Sequence, residues 1–102
     1  MLKKLIGETL FGEICKIVPY EFLTEIRLRL NKPIAVKNRS ERFYLKQDAS
    51  RALIDGIIAR ATHHSLYAYQ HEMASGYIHV GGGIRLGLAG RVVYEKEKNY
   101  GF

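Results

Sequence analysis

The amino-acid sequence predicts an α+β domain, in which a small mixed or antiparallel sheet carries two to three helices packed on one face. Apolar residues recur at helical spacing near the start of the chain and again in its middle. Between these blocks apolar and charged residues alternate, as is typical of a half-buried strand. A glycine-rich stretch at residues 76–91 then divides further strand-like residues. The predicted element order is therefore α-β-β-β-α-α-β-β-β.

A first helix is predicted over residues 2–18, where leucine, isoleucine and valine form one apolar stripe. Gly7 and Gly12 lie within it. A break near one of them is expected, because glycine costs about 1 kcal/mol relative to alanine inside a helix. Pro19 ends the helix, since the residue before a proline is disfavoured in the helical conformation.

Three strands are predicted next, and the first has a charged face. Its apolar residues alternate with Glu25, Arg27 and Arg29, so the two kinds of side chain point to opposite sides of the sheet. A turn containing a proline and a polar connection separate the three strands. The apolar residues of the first strand are Ile26, Leu28 and Leu30, the second strand covers residues 34–36 and the third covers residues 42–46.

A helical block follows the third strand. Asp48 is expected to cap it, because a short carboxylate accepts the open backbone N–H groups of a first helical turn. The apolar stripe runs over residues 49–61. Residues 62–64 are expected to form a polar joint to a second short helix, which Ser65 caps and Gly76 ends.

The glycine-rich stretch is predicted to form three short strands separated by tight turns. These strands cover residues 77–80, 84–88 and 91–95. The structural turn glycines are Gly81, Gly82, Gly83, Gly87 and Gly90. We expect residues 1–96 to form a single domain and residues 97–102 to be a frayed tail.

The composition is that of a basic globular domain. A net charge of +6 over 102 residues is compatible with nucleic acid, an anionic membrane surface or an acidic protein partner. The sixteen lysines and arginines are spread out and form no polybasic tail, so a solvated basic surface is the alternative. Cys15 is the single cysteine, which fits a reducing, cytoplasmic compartment.

The motifs of common catalytic and nucleotide sites are absent from the sequence. No glycine precedes a lysine, as a P-loop requires, and the glycines at 81, 83 and 87 do not have dinucleotide-binding spacing. Residues 87–90 match the GxxG of KH domains, but strand-like flanks favour a hairpin turn. The four histidines lack metal-ligand spacing. We expect no catalytic residue, no metal and no cofactor in this chain.

Arginines on the predicted strands are the candidate binding residues. Arg27 and Arg29 share one face of their strand, and Arg85 lies near Arg91 if the intervening turn keeps the alternation. Should these strands be neighbours, four guanidinium groups gather on one sheet surface, where they can bind carboxylates or phosphates bidentately. The alternative is a solvated sheet face on which nearby glutamates balance these charges.

Three sequence blocks carry a family resemblance. They are EIRLRLNKPIAV at 25–36, SLYAYQHEMASGYIHV at 65–80 and GGGIRLGLAGRVVYE at 81–95. Through them the chain resembles the N-terminal region of the stage III sporulation protein AA family. That family is similar to the ATPases of type II and type IV secretion systems, in which an N-terminal α/β domain precedes a P-loop ATPase domain.

The resemblance implies which part of the protein binds ATP. ATP and Mg²⁺ are expected only for an ATPase domain that these 102 residues do not contain. The implied partners are other subunits of the same protein in a ring and membrane proteins of the sporulation complex. The implied location is cytoplasmic, on the mother-cell side and peripheral to the membrane complex.

Two functions are therefore considered. The first is a non-catalytic interaction and assembly domain of a sporulation-associated, secretion-type ATPase. The alternative is a small basic nucleic-acid-binding module, for which the charge, the GxxG turn and the strand arginines argue. An independent enzyme is a more distant third.

Overall fold

Two α-helices, a three-stranded meander, a third helix and a β-hairpin follow one another in the computed structural model, which describes residues 2–64 and 76–89. A 3-10 turn at Tyr20–Phe22 links the helices to the meander. The elements are α1 (Leu2–Ile6), α2 (Glu8–Ile17), β1 (Glu25–Arg29), β2 (Pro33–Lys37), β3 (Arg42–Asp48), α3 (Arg51–His64), β4 (Tyr77–His79) and β5 (Arg85–Ala89).

The N-terminal helical block is split in two at Gly7. This residue has a φ of 94°, a left-handed value that breaks the helical path, whereas Gly12 stays inside α2. α2 ends at Ile17, and Val18 and Pro19 are extended. The expected break and the expected stop are both present.

The five strands form one sheet in the order β3-β2-β1-β5-β4. β1 pairs in parallel with β5, and the other three pairings are antiparallel. The sheet is therefore mixed, and the predicted α+β class is confirmed. Because β1 lies in the centre of the sheet, its register with β2 and β5 determines which residues lie beside its side chains on both faces of the sheet.

The core lies on one face of the sheet, beneath the helices. Ile26 and Leu28 of β1 and Leu86 of β5 have no measurable exposure. Because side chains alternate along a strand, these residues all point the same way. The helices contribute apolar residues to the same cluster, among them Ile14 of α2 and Ile57 of α3. This packing leaves the charged residues of β1 on the opposite face.

The start and end of α3 differ from the prediction. Asp48 does not cap this helix, because it is paired with Pro33 in the β3 ladder. Ser50 takes that place: its Oγ accepts the backbone N–H of Leu53 at 3.1 Å. The polar joint predicted at residues 62–64 is also wrong, since α3 continues through His64.

Several predictions fall outside the described residues. They concern the second helix beginning at Ser65, the strand at 91–95, the tail at 97–102, and the positions of Gly90 and Arg91.

The β4–β5 connection contains three consecutive residues with left-handed φ values. Gly81, Gly82 and Gly83 have φ of 90°, 61° and 76°. The N–H of Ile84 donates to the Gly81 carbonyl at 3.0 Å, and the N–H of Val80 donates to the Ile84 carbonyl at 3.1 Å. Residues with a Cβ seldom adopt these φ values, so the sequence GGG is what permits so tight a reversal.

Ile14→Ala is expected to lower the free energy of unfolding by about 2–5 kcal/mol, because it leaves a cavity in the core. Ile14 is completely buried, whereas Ile17 on the same helix is 40% exposed. Ile17→Ala is the matched control and should cost less than about 1 kcal/mol. Urea unfolding of both variants measures the difference, and equal losses would contradict this description of the core.

Gly83→Ala is expected to destabilise the protein by about 1–2 kcal/mol, because alanine is strained at a φ of 76°. Gly12→Ala is the control. Neither position has an atom within 4 Å of an added Cβ, but Gly12 is helical, so the change should stabilise by about 0.5–1 kcal/mol. Thermal unfolding should shift in opposite directions for the two variants; shifts of the same sign would refute the argument.

Candidate functional site

The sheet face opposite the helices carries a row of arginines. Residues that face each other on neighbouring strands project to the same side, and the parallel register places Glu25 opposite Arg85, and Arg27 opposite Gly87. Arg29 lies at the end of β1, opposite Ala89. The structure thus gathers Arg27, Arg29 and Arg85 on one surface. We call it the arginine face.

Glu25 holds two of these arginines in place. Its carboxylate is only 1% exposed, although it belongs to the charged side of β1. Arg27 Nε donates to Glu25 Oε2 at 3.2 Å, and an Arg85 terminal nitrogen donates to Glu25 Oε1 at 3.1 Å. A buried carboxylate is tolerated when charged donors satisfy it, and here each oxygen has its own guanidinium.

Tyr77 of β4 completes the cluster. Its hydroxyl accepts a hydrogen bond from an Arg27 terminal nitrogen at 2.5 Å. The guanidinium carbon of Arg85 is 4.7 Å from the centre of the Tyr77 ring, and that of Arg27 is 5.6 Å away. Cation–π attraction therefore adds to the two ion pairs. Together these contacts fix the orientation of both guanidinium groups.

Gly87 lies beneath this cluster and not in a turn, so its assignment as a turn glycine was wrong. It is a buried position inside β5, paired with Arg27 on one side and Tyr77 on the other. An added Cβ would lie 3.4 Å from Tyr77 Cε1 and 3.7 Å from Arg27 Nε. The glycine leaves room for the ring and the guanidinium to lie close to the sheet. The alternation RLGLA is the signal that indicates a strand here.

A shallow cavity of about 260 Å³ opens next to the cluster, above the second half of β5. Its floor includes Gly87 and Ala89, and its walls include Arg27 and Tyr77. Arg29, at the neighbouring end of β1, is exposed and has no hydrogen bond or ion pair within the described part of the chain. Of the three predicted arginines that the structure describes, Arg29 is the one whose guanidinium N–H groups are not engaged by other described residues.

Further cationic residues extend the arginine face towards β3. Lys37 is opposite Glu25, and Arg42 is opposite Lys37. A hydrogen bond with Tyr44, together with the electrostatic effect of that tyrosine, raises the pKa of Arg42. The sequence prediction missed Lys37, Arg42 and Tyr77, because strand order cannot be read from alternation alone.

The arrangement is suited to binding anions. The face carries the cationic side chains of Arg27, Arg29, Arg85, Lys37 and Arg42, and the carboxylate of Glu25 pairs with two of them, Arg27 and Arg85. Within residues 2–64 and 76–89 there is no group of three or more His, Cys, Asp or Glu side chains that could hold a metal. In that same part of the chain, no helix is both long and apolar enough to cross a membrane.

The fold and this face define a small α+β domain with an arginine-rich exposed sheet. The family profile described as "Sporulation stage III, protein AA" matches residues 2–101, so the chain belongs to this family. It is 29% identical over 96 residues to Stage III sporulation protein AA of Bacillus subtilis (strain 168). That alignment covers 92% of this chain and 31% of the relative. No solved structure matches the chain.

Arg85→Ala is expected to lower the free energy of unfolding by about 1–2 kcal/mol, because it leaves one oxygen of the buried Glu25 without a charged donor. Arg29→Ala removes the same charge from the same face and is the matched control, expected to stay within about 0.5 kcal/mol of the unchanged protein. Urea unfolding compares the two. Equal stability of both variants would mean that Glu25 does not depend on Arg85.

Proposed function

We propose that this chain is a non-catalytic interaction domain of a sporulation-associated, secretion-type ATPase. In this proposal the arginine face contacts neighbouring subunits of the same protein or membrane proteins of the sporulation complex. The supporting observation is the geometry of Arg27 and Arg85, whose guanidinium groups are held in place on an exposed sheet surface. Fixed binding groups lose less conformational freedom on association, which favours recognition.

The lengths involved support a division of labour within the whole protein. The chain spans 31% of the relative that it matches, and its sequence has no P-loop pattern. We place ATP and Mg²⁺ in the remainder of the protein, which would supply the energy while this domain makes contacts. The location that accompanies this role is the mother-cell cytoplasm, at the periphery of the membrane complex.

Nucleic-acid binding is the second candidate, and the five cationic side chains of the arginine face favour it. Its expected signature is an affinity that falls steeply with salt, because phosphate contacts release counterions. The contacts of Tyr77 argue against it, because Arg27 and Arg85 lie over its ring and leave it unavailable for base stacking.

Deleting the codons for this chain from the full gene separates interaction from catalysis. The sporulating host is expected to lose heat-resistant spores, because the remaining ATPase cannot join its partners. The purified remainder is expected to keep hydrolysing ATP, and this chain alone should show no turnover. Spore counts and phosphate release measure the two effects.

Two results would contradict the proposed role. One is normal spore formation by the deletion strain. The other is ATP turnover by the isolated chain at a rate comparable to that of the full protein. A point variant in the remainder that leaves ATP turnover unchanged serves as the control. Immunoblotting checks that this variant and the deletion variant are equally abundant.

A further inference from the structure

We propose that the arginine face binds an extended acidic segment of a protein partner, with one carboxylate seated above Gly87 and Ala89. The inference rests on the proposed function and specifies the chemistry of the partner. The seat is the cavity of about 260 Å³ above β5, between Arg27 of β1 and Tyr77 of β4.

The shape of this seat comes from small residues on the central part of the sheet. β5 lies between β1 and β4, and its outward positions at this end are Gly87 and Ala89. Long side chains stand on the flanking strands, so the surface above β5 is a trough. An extended segment along the trough can present alternate side chains to the sheet, as peptides do in strand-like recognition.

The donors around the trough are arranged for a carboxylate. Arg27 and Arg85 use some of their N–H groups on Glu25 and Tyr77, and the guanidinium group offers five in all. The remaining ones stay available in a fixed orientation. Arg29 lies opposite Ala89 at the end of β1, and its guanidinium N–H groups have no partner within the described part of the chain. A planar guanidinium fork matches a carboxylate bidentately.

The aromatic residues distinguish a peptide from a nucleic acid. Sequence-tolerant binding of single strands needs exposed rings on which successive bases stack. The Tyr77 ring is already covered by Arg85 and Arg27. Tyr44 is 60% exposed, but it lies on β3, three strands from β5. Among the described residues of the five strands it is the single exposed tyrosine or phenylalanine ring, and one such ring makes no stacking platform, so carboxylates are the favoured ligands.

Two copies of this chain do not pack arginine face against arginine face. Each chain has a formal net charge of +6, and the two faces would bring like charges together. An acidic segment neutralises the face instead. Charge complementarity therefore selects a partner with closely spaced Asp or Glu residues in an extended conformation.

The test uses three labelled probes with the purified chain. The first is a peptide of about ten residues in which Glu alternates with Thr, which favours an extended conformation. The second has Gln in place of each Glu, and the third is an oligothymidylate of similar length. Fluorescence anisotropy measures each affinity at low salt and at about 0.3 M salt, where surface charges are screened. We expect the Glu peptide to bind, more weakly at high salt, and the other two probes to bind far less.

Three variants locate the site. Arg29→Ala is expected to weaken binding of the Glu peptide about fivefold or more, because an unengaged guanidinium is lost. Ala89→Val fills the trough without changing charge and should weaken binding to a similar extent. Lys4→Ala removes the same charge from exposed α1, on the helical side, and should leave binding unchanged. Circular dichroism and urea unfolding confirm that all three variants are folded.

The inference is overturned if the Glu peptide does not bind, or if oligothymidylate binds at least as tightly. Unchanged binding by both Arg29→Ala and Ala89→Val would also overturn it. These failures are distinct from failure of the proposed function. Loss of spores in the deletion strain with no Glu-peptide binding refutes the acidic partner alone, whereas normal spores refute the interaction role itself.

Discussion

The arginine face depends on the ion pairs that the buried carboxylate of Glu25 forms with Arg27 and Arg85. Two guanidinium groups next to each other on neighbouring strands repel, and a shared anion beneath them removes that repulsion. Burial makes this anion effective, because attraction between charges is stronger where water is excluded. The carboxylate also needs both arginines, since a charge at 1% exposure is costly without donors. Glu25, Arg27 and Arg85 therefore depend on one another.

The arginines of this surface differ in what their side chains contact. Arg27 and Arg85 stabilise the sheet through Glu25 and Tyr77, while the Arg29 side chain has no hydrogen bond or ion pair within residues 2–64 and 76–89. In the proposed role, replacing Arg27 or Arg85 changes both stability and recognition. Replacing Arg29 changes recognition alone. Effects on assembly can be interpreted only with this division in mind, because a loss of partner binding has two different physical origins on the same face.

Periodicity in the sequence predicted the α+β class, the strands β1 to β3 and the hairpin, since each depends on local alternation. It also predicted that Arg27 and Arg29 share a face. It could not predict that β1 pairs in parallel with β5, because that contact joins distant parts of the chain. Without this register, the sequence does not show that Glu25 and Tyr77 contact the arginines. The cap at Asp48 failed for a related reason: its pairing in the β3 ladder outweighs its local preference.

The parallel pairing of β1 with β5 has a consequence for how the polypeptide is made. The ion pair between Glu25 and Arg85 spans 60 positions, so β1 cannot pair with β5 until β5 has left the ribosome. Until then the nascent β1 has an open edge in the middle of the future sheet, and open edges invite pairing with other chains. Long-range pairing of this kind also slows folding. The interval before β5 emerges is therefore the stage at which β1 is open to pairing with another chain.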